Sequence, residues 1–113
     1  MSEHPALPLA PRDLLILSVL AVSPLHGYGI IKAVEERSES GVLLDPANLY
    51  RCLRRMREGG WIDEVAGGPD ERRRTYRITT EGRTILRSEV SRLQRLLSQV
   101  RPALAGDVRG RGR

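Results

Sequence analysis

The 113-residue chain contains no phenylalanine, one tryptophan and three tyrosines. Single-stranded RNA is usually held by bases stacked on aromatic rings, and a chain this short of rings is poorly supplied for that. One cysteine, Cys52, excludes an internal disulfide and a cysteine-cluster zinc site. The two histidines, His4 and His26, stand far apart in sequence, and no carboxylate pair comes with a supporting nucleophile. No catalytic residue, no metal site and no cofactor are therefore expected, and the chain does not read as an enzyme. Long apolar runs are missing too. The longest, Leu14 to Val22, is nine residues interrupted by Ser18, whereas a membrane span takes roughly 20. Met1–Ala10 has neither the leading positive charge nor the small-residue cleavage site of a secretion signal. The expectation is one soluble, cytoplasmic domain with no membrane contact.

Lysine is scarce as well. Lys32 stands alone, and every other basic residue is arginine. A GC-rich coding bias is one reason for such a preference. The distribution of charge is more telling than its kind. Residues 1–45 carry three basic and six acidic side chains, whereas residues 46–113 carry sixteen basic and eight acidic. The net +5 is thus concentrated in the second part of the chain. A one-sided basic surface points to a polyanionic partner.

The punctuation of the chain divides it into elements. Residues 1–9 hold two prolines and no periodicity, and read as a flexible N-terminal arm. Pro11 suits a first helical position, where its missing N–H costs nothing. From there a helix runs to about Val22, apolar almost all round, which means cover on more than one side. A chain this small is not expected to supply all of that cover alone. Pro24 stops this helix, and LHGYGIIKAVEERS forms a second, with Ile30, Ile31 and Val34 inward and Lys32, Glu35 and Glu36 outward. His26, at its start, reads as a capping or packing residue. Asp45 as N-cap and Pro46 at the first position open a third helix, which runs to about Glu58. Gly59-Gly60 closes it. Trp61–Ala66 and Arg74–Thr79 read as two strands of a hairpin. Thr80 to about Arg101 is one long helix, stopped by Pro102, and residues 102–113 read as a disordered basic tail. The fold class is mainly α with a small β-hairpin: a winged helix-turn-helix over residues 10–79, followed by a long C-terminal dimerisation helix over residues 80–101.

The third helix, PANLYRCLRRMRE, places Leu49, Cys52, Leu53 and Met56 on one face at helical spacing. Opposite them lie Ala47, Arg51, Arg54 and Glu58, flanked by Asn48 and Arg55. Arginine is the commonest reader of guanine in the major groove, and asparagine pairs comparably with adenine. Shortly after comes GGPDERRRTYRIT, whose Arg72, Arg73 and Arg74 gain nothing from one another as like charges. DNA phosphates beside a winged hairpin would offset that repulsion. Asp70 and Glu71 are available to pair with neighbouring arginines when DNA is absent. The residues expected to contact double-stranded DNA are Ala47, Asn48, Tyr50, Arg51, Arg54, Arg55, Arg72, Arg73 and Arg74.

The segments PRDLLILSVLAVSPLHGYGIIKAVEER, LYRCLRRMREGGWIDE and RRRTYRITTEGR resemble the PadR-type transcriptional regulators, over roughly residues 9–100. HGYGI at 26–30, with LYR, YRIT and EGR in order, carries the resemblance. One C-terminal helix in place of a separate helical domain is similar to the family's short subgroup. The resemblance implies a homodimeric winged-helix protein, usually a repressor, on a pseudo-palindromic operator. It also implies dimerisation through the last helix packed with the first, and often a small amphipathic effector between the subunits. The chain reads Asp45-Pro46-Ala47-Asn48 where the family commonly has Ser-Pro-Gly and then Thr or Ser, so no operator sequence carries over. Trp61 stands where an aliphatic residue is usual, as a core residue or as one wall of a ligand cavity.

The last helix adds a reading of its own. Leu86, Val90, Leu93, Leu97 and Val100 step by four, three, four and three, the seam of a coiled coil. Together with Leu14 and Leu17 of the first helix they form the expected dimer surface. The rival readings are a protein-interaction module and an RNA-binding module on the same scaffold, the second suggested by the RGRGR tail.

Overall fold

Helix starts follow from the residues that precede them. In the computed structural model, which describes residues 4–65 and 74–111, α1 (Pro11–Val22) begins with Pro11 after an extended Ala10. A two-residue strand β1 (Leu25–His26) follows, then α2 (Gly27–Arg37), where His26 is the N-cap and its Nδ1 accepts from Gly29 N–H at 3.0 Å. At α3 (Pro46–Glu58) the Asp45 carboxylate accepts from Asn48 N–H at 2.8 Å. Both caps satisfy an amide that the first turn leaves without a partner. The end of α3 is equally local. Gly60 has φ +82°, and Gly60 N–H and Trp61 N–H donate back to the carbonyls of Arg57 and Met56. That double closure needs a left-handed residue, which glycine adopts without strain.

β2 (Ile62–Val65) and β3 (Thr75–Ile78) pair antiparallel, with Ile62 opposite Ile78 and Glu64 opposite Tyr76. β2 begins one residue later than the sequence suggests and β3 is one residue shorter at each end, whereas Ala66 lies outside the described residues. The sheet has a third strand that the sequence reading lacks: β1 pairs antiparallel with β3, Leu25 opposite Tyr76, giving the order β1-β3-β2. Two residues between helices carry no periodicity, so only the distant partner reveals β1 as a strand.

α1 packs on α2, β3 and α4 (Thr80–Arg111) of the same chain. Ile16, Leu17, Val19 and Leu20 are buried by these elements alone. The chain therefore supplies much of the cover that a partner subunit was expected to provide, although Val22 stays 68% exposed, and Leu17, expected at a dimer surface, is at 0% exposure in its own core. Leu14 is half-buried against the same core. Thr79 joins the sheet to α4: its hydroxyl donates to Gly60 O at 2.6 Å and accepts from Gly82 N–H at 3.0 Å. The first turn of α4 lies so close to the strand that a Cβ on Gly82 would stand 2.2 Å from Trp61 O. Trp61 itself is half-buried against the core.

Two expectations at the chain ends are corrected. α4 does not stop at Pro102 but continues through it to Arg111. A proline inside a helix removes one N–H and strains one turn, at a cost of about 3 kcal/mol. Ser98, four residues back, is exposed, so water can serve the carbonyl left without a donor, and Ala103 and Leu104 favour the helix. The arm, read as flexible, is docked from residue 4 onward. Leu9 is buried, and its N–H donates to Glu89 Oε2 at 2.9 Å. His4 meets Glu81 at 3.0 Å. Isolated contacts of this kind leave no periodic trace in the sequence.

Candidate nucleic-acid interface

The faces of α3 are cleanly separated. Leu49, Cys52, Leu53 and Met56 are all buried, as their spacing predicts. On the other side a chain of side-chain hydrogen bonds starts from the cap. Asn48 Nδ2 donates to Asp45 Oδ2 at 2.8 Å, and Arg51 Nη1 donates to Asn48 Oδ1 at 2.8 Å. The residue that opens the helix thus holds Asn48, and Asn48 holds Arg51. Long side chains lose freedom when they bind, so a guanidinium already held in place loses less. Ala47 is exposed beside them with no bulk to block approach. Arg54, one turn on from Arg51, is exposed and has no acidic partner among the described residues.

The other predicted contacts are placed differently. Tyr50 is half-buried, and a Cβ on Gly27 would stand 2.6 Å from its hydroxyl, so Gly27 makes room for it. Arg55 is engaged outside the Arg51 relay: its two terminal nitrogens donate to the two oxygens of Asp13, each at 3.0 Å. Donating these hydrogen bonds to Asp13 raises the Arg55 pKa above its already high value. Arg74 reaches Glu64 at 3.5 Å, and Arg57, which the sequence reading passed over, pairs with the same Glu64 oxygen. Between α3 and β3 lies a cleft of about 20 Å³, lined by Tyr50, Leu53, Arg54, Arg57 and Tyr76. It has room for about one water-sized group. Tyr76 and Ile78 face the core and Arg77 faces out. Arg72 and Arg73 lie outside the described residues.

On α4, the expected seam grades from covered to bare. Leu86 is half-buried on the core and Leu93 is intermediate, whereas Val90, Leu97 and Val100 are exposed, with Leu96 and Leu104 beside them. Sequence reasoning overlooked Asp13. One signal was available: Asp13 is the lone carboxylate in a helix of apolar residues, and a buried carboxylate requires a cation. Among the described residues no group of His, Cys, Asp and Glu could hold a metal ion, and no helix is long and apolar enough to cross a membrane.

Comparison with known proteins places this geometry. The transcriptional regulator PadR-like family matches residues 16–88. A PadR family transcription regulator from hypervirulent Clostridium difficile is 28% identical, with a TM-score of 0.70 over 84% of this chain and 99% of that one. A transcriptional regulator from Clostridium thermocellum is 26% identical, with a TM-score of 0.69 over 80% of this chain and 89% of that one. A PadR family transcriptional regulator from Eggerthella lenta is 26% identical, with a TM-score of 0.66 over 83% and 84% of the two chains. An uncharacterized 37.1 kDa protein in transposon TN4556 of Streptomyces fradiae is 34% identical over 88 residues, which is 78% of this chain. The chain spans about a quarter (24%) of that relative's length.

Proposed function

The chain belongs to the transcriptional regulator PadR-like family, and from that premise we propose that it binds duplex DNA as a homodimer and represses transcription at the sites it occupies. In this reading α3 enters the major groove. Arg51, Arg54 and Asn48 meet base edges, and Ala47 lets the helix end come close. The hairpin lies beside it, with Arg74, Arg72 and Arg73 against phosphates and Tyr50 at the edge of the contact. The observation that carries the reading is the Asp45–Asn48–Arg51 relay, which presents a held guanidinium on the solvent face of a helix whose opposite face is core. The exposed apolar side chains of α4 support the homodimer, because a row of this kind on a soluble chain marks an association surface. Two copies related by a two-fold axis would read a pseudo-palindromic operator. A small amphipathic molecule held between the subunits would serve as the releasing signal.

The test begins with selection of binding sites from random duplexes, followed by titration of the selected site and an unrelated duplex. Arg51→Ala is expected to cost about 1–3 kcal/mol on the selected site and little on the unrelated one. Equal losses on both would make Arg51 a phosphate contact. No enrichment of any site would sink the reading. Repression is then checked by run-off transcription from a template that carries the site.

A further inference from the structure

α3 packs mainly on α2 and β2, whereas α1 packs on α2, β3 and α4. The ion pair of Asp13 and Arg55 links α1 to α3 directly, beside the apolar core that both helices share. Its geometry is demanding. Two guanidinium nitrogens meet two carboxylate oxygens at 3.0 Å each, so both the separation and the relative rotation of the groups are set. Asp13 is 5% exposed and has little access to water as a substitute partner. Arg55 stands one turn after Arg51 and next to Arg54 on α3. A rotation or sliding of α3 against α1 disturbs this paired geometry.

We infer that Asp13 is a positioning residue for DNA reading: by gripping Arg55 it sets the rotation and depth of α3, and so where Arg51 and Arg54 meet the bases. The inference rests on the proposed entry of α3 into the major groove, and it gives Arg55 a role other than direct contact. Side chains that discriminate between bases must be held to within about 0.5 Å, and a helix needs a rigid support to do that. α1 also packs on α4, so the grip links the reading helix to the element that carries the exposed seam.

The experiment measures binding of a selected site and an unrelated duplex over a range of salt, for wild type, Asp13→Asn, Arg55→Gln, Arg55→Lys and the double variant Asp13→Asn/Arg55→Gln. Each single variant is expected to lose about tenfold on the selected site, and the unrelated duplex and the salt slope are expected to hold. Arg55→Lys keeps the charge and loses the fork, so it is expected to fall with Arg55→Gln. The double variant is expected to lose no more than the worse single one, because both remove the same contact. Helicity by circular dichroism is followed throughout. Should Arg55→Gln fail to fold, Asp13→Asn carries the test, because the half-exposed Arg55 can turn to water. Full site preference in Asp13→Asn overturns the inference and leaves the DNA reading intact. So does an Arg55→Gln that weakens both duplexes equally and shallows the salt slope, the behaviour of a phosphate contact. A wild type with no preference for any duplex overturns both.

Discussion

α1 and α4 are both rich in apolar side chains, yet the chain treats them differently. α1 is largely enclosed by α2, β3 and α4, with Ile16 and Leu17 at 0% exposure without any partner and Val22, at its end, at 68%. α4 is enclosed only at its start, where Ile85 is at 0%, and is bare further on, where Val100 is at 53%. A helix that is apolar all round therefore does not by itself require a second subunit. An apolar side that the whole chain leaves uncovered is the stronger sign. The overall dimensions agree: the radius of gyration is 17.0 Å, against about 13 Å for a compact chain of this length. The excess comes from α4, which at 32 residues extends about 48 Å.

Charging the bare side of α4 separates the two helices most strongly. Asp at both Leu93 and Leu97 would bury two carboxylates in an apolar seam if two copies pair there. Association is expected to weaken at least about a hundredfold, with the thermal unfolding of the monomer little changed. Analytical ultracentrifugation at micromolar concentration reads the result. A wild-type protein that sediments as a monomer would refute the pairing outright.

The covered side is expected to respond in the opposite way. Leu17→Ala opens a cavity in a fully enclosed site and should cost about 2–5 kcal/mol of folding stability. Chemical denaturation measures it. A shift in assembly with stability unchanged would show that Leu17 serves a partner after all.

What the sequence disclosed and what it hid divide along the same line between local and distant causes. The bounds of α1 and α3 were legible because Pro11, Asp45-Pro46 and Gly59-Gly60 act within a few residues of themselves. The buried stripe of α3 was legible for the same reason, since periodicity is a local property. β1 was not legible, because Leu25 and His26 become a strand only through Tyr76 and Thr75, some fifty residues later. The grip of Asp13 on Arg55 spans 42 residues, and the anchor of Leu9 on Glu89 spans 80. Pro102 misled in the other direction: an exposed helix tolerates a proline that a buried one would not. Within the candidate site, the shared solvent side of Asn48, Arg51 and Arg54 on α3 was legible from helical spacing. The pairing of Arg55 needed the fold.

Glu89 marks the boundary between the two regimes on α4. It is 1% exposed and accepts from Arg92, one turn away, and from the N–H of Leu9 in the docked arm. The hydrogen bond from Arg92 holds its pKa below the ordinary carboxylate value of 4.5, outweighing the opposing effect of burial, and Leu9 N–H adds to it. The unfolded chain therefore binds this proton more tightly than the folded one. Stability from Glu89 is fully present above that ordinary value and is lost as the pH falls through the lower folded value. Glu89→Gln is expected to cost about 1–3 kcal/mol at neutral pH and to flatten the acid side of a melting-temperature profile. An acid limb that is as steep in the variant as in wild type would leave Glu89 out of the pH dependence.

The smallest effect counts copies. Arg74 pairs only loosely with Glu64, at 3.5 Å, so Arg74→Ala should change folding stability by no more than about 0.5 kcal/mol. If Arg74 touches a phosphate, its loss removes one released counterion per copy, and the slope of log K against log salt shallows by about 0.9. A dimer carries the residue twice. The expected shift is therefore about 1.8 per complex if the bare side of α4 joins two copies on one site. A shift near 0.9 means that one copy binds alone or that one hairpin of the pair stays off the backbone. Base preference should hold in either case, because a phosphate looks the same beside every base. Repeating the titration in the Leu93→Asp/Leu97→Asp background separates these outcomes. A shift that falls from about 1.8 to about 0.9 there ties the doubling to the α4 seam. A shift of zero in both backgrounds removes Arg74 from the interface.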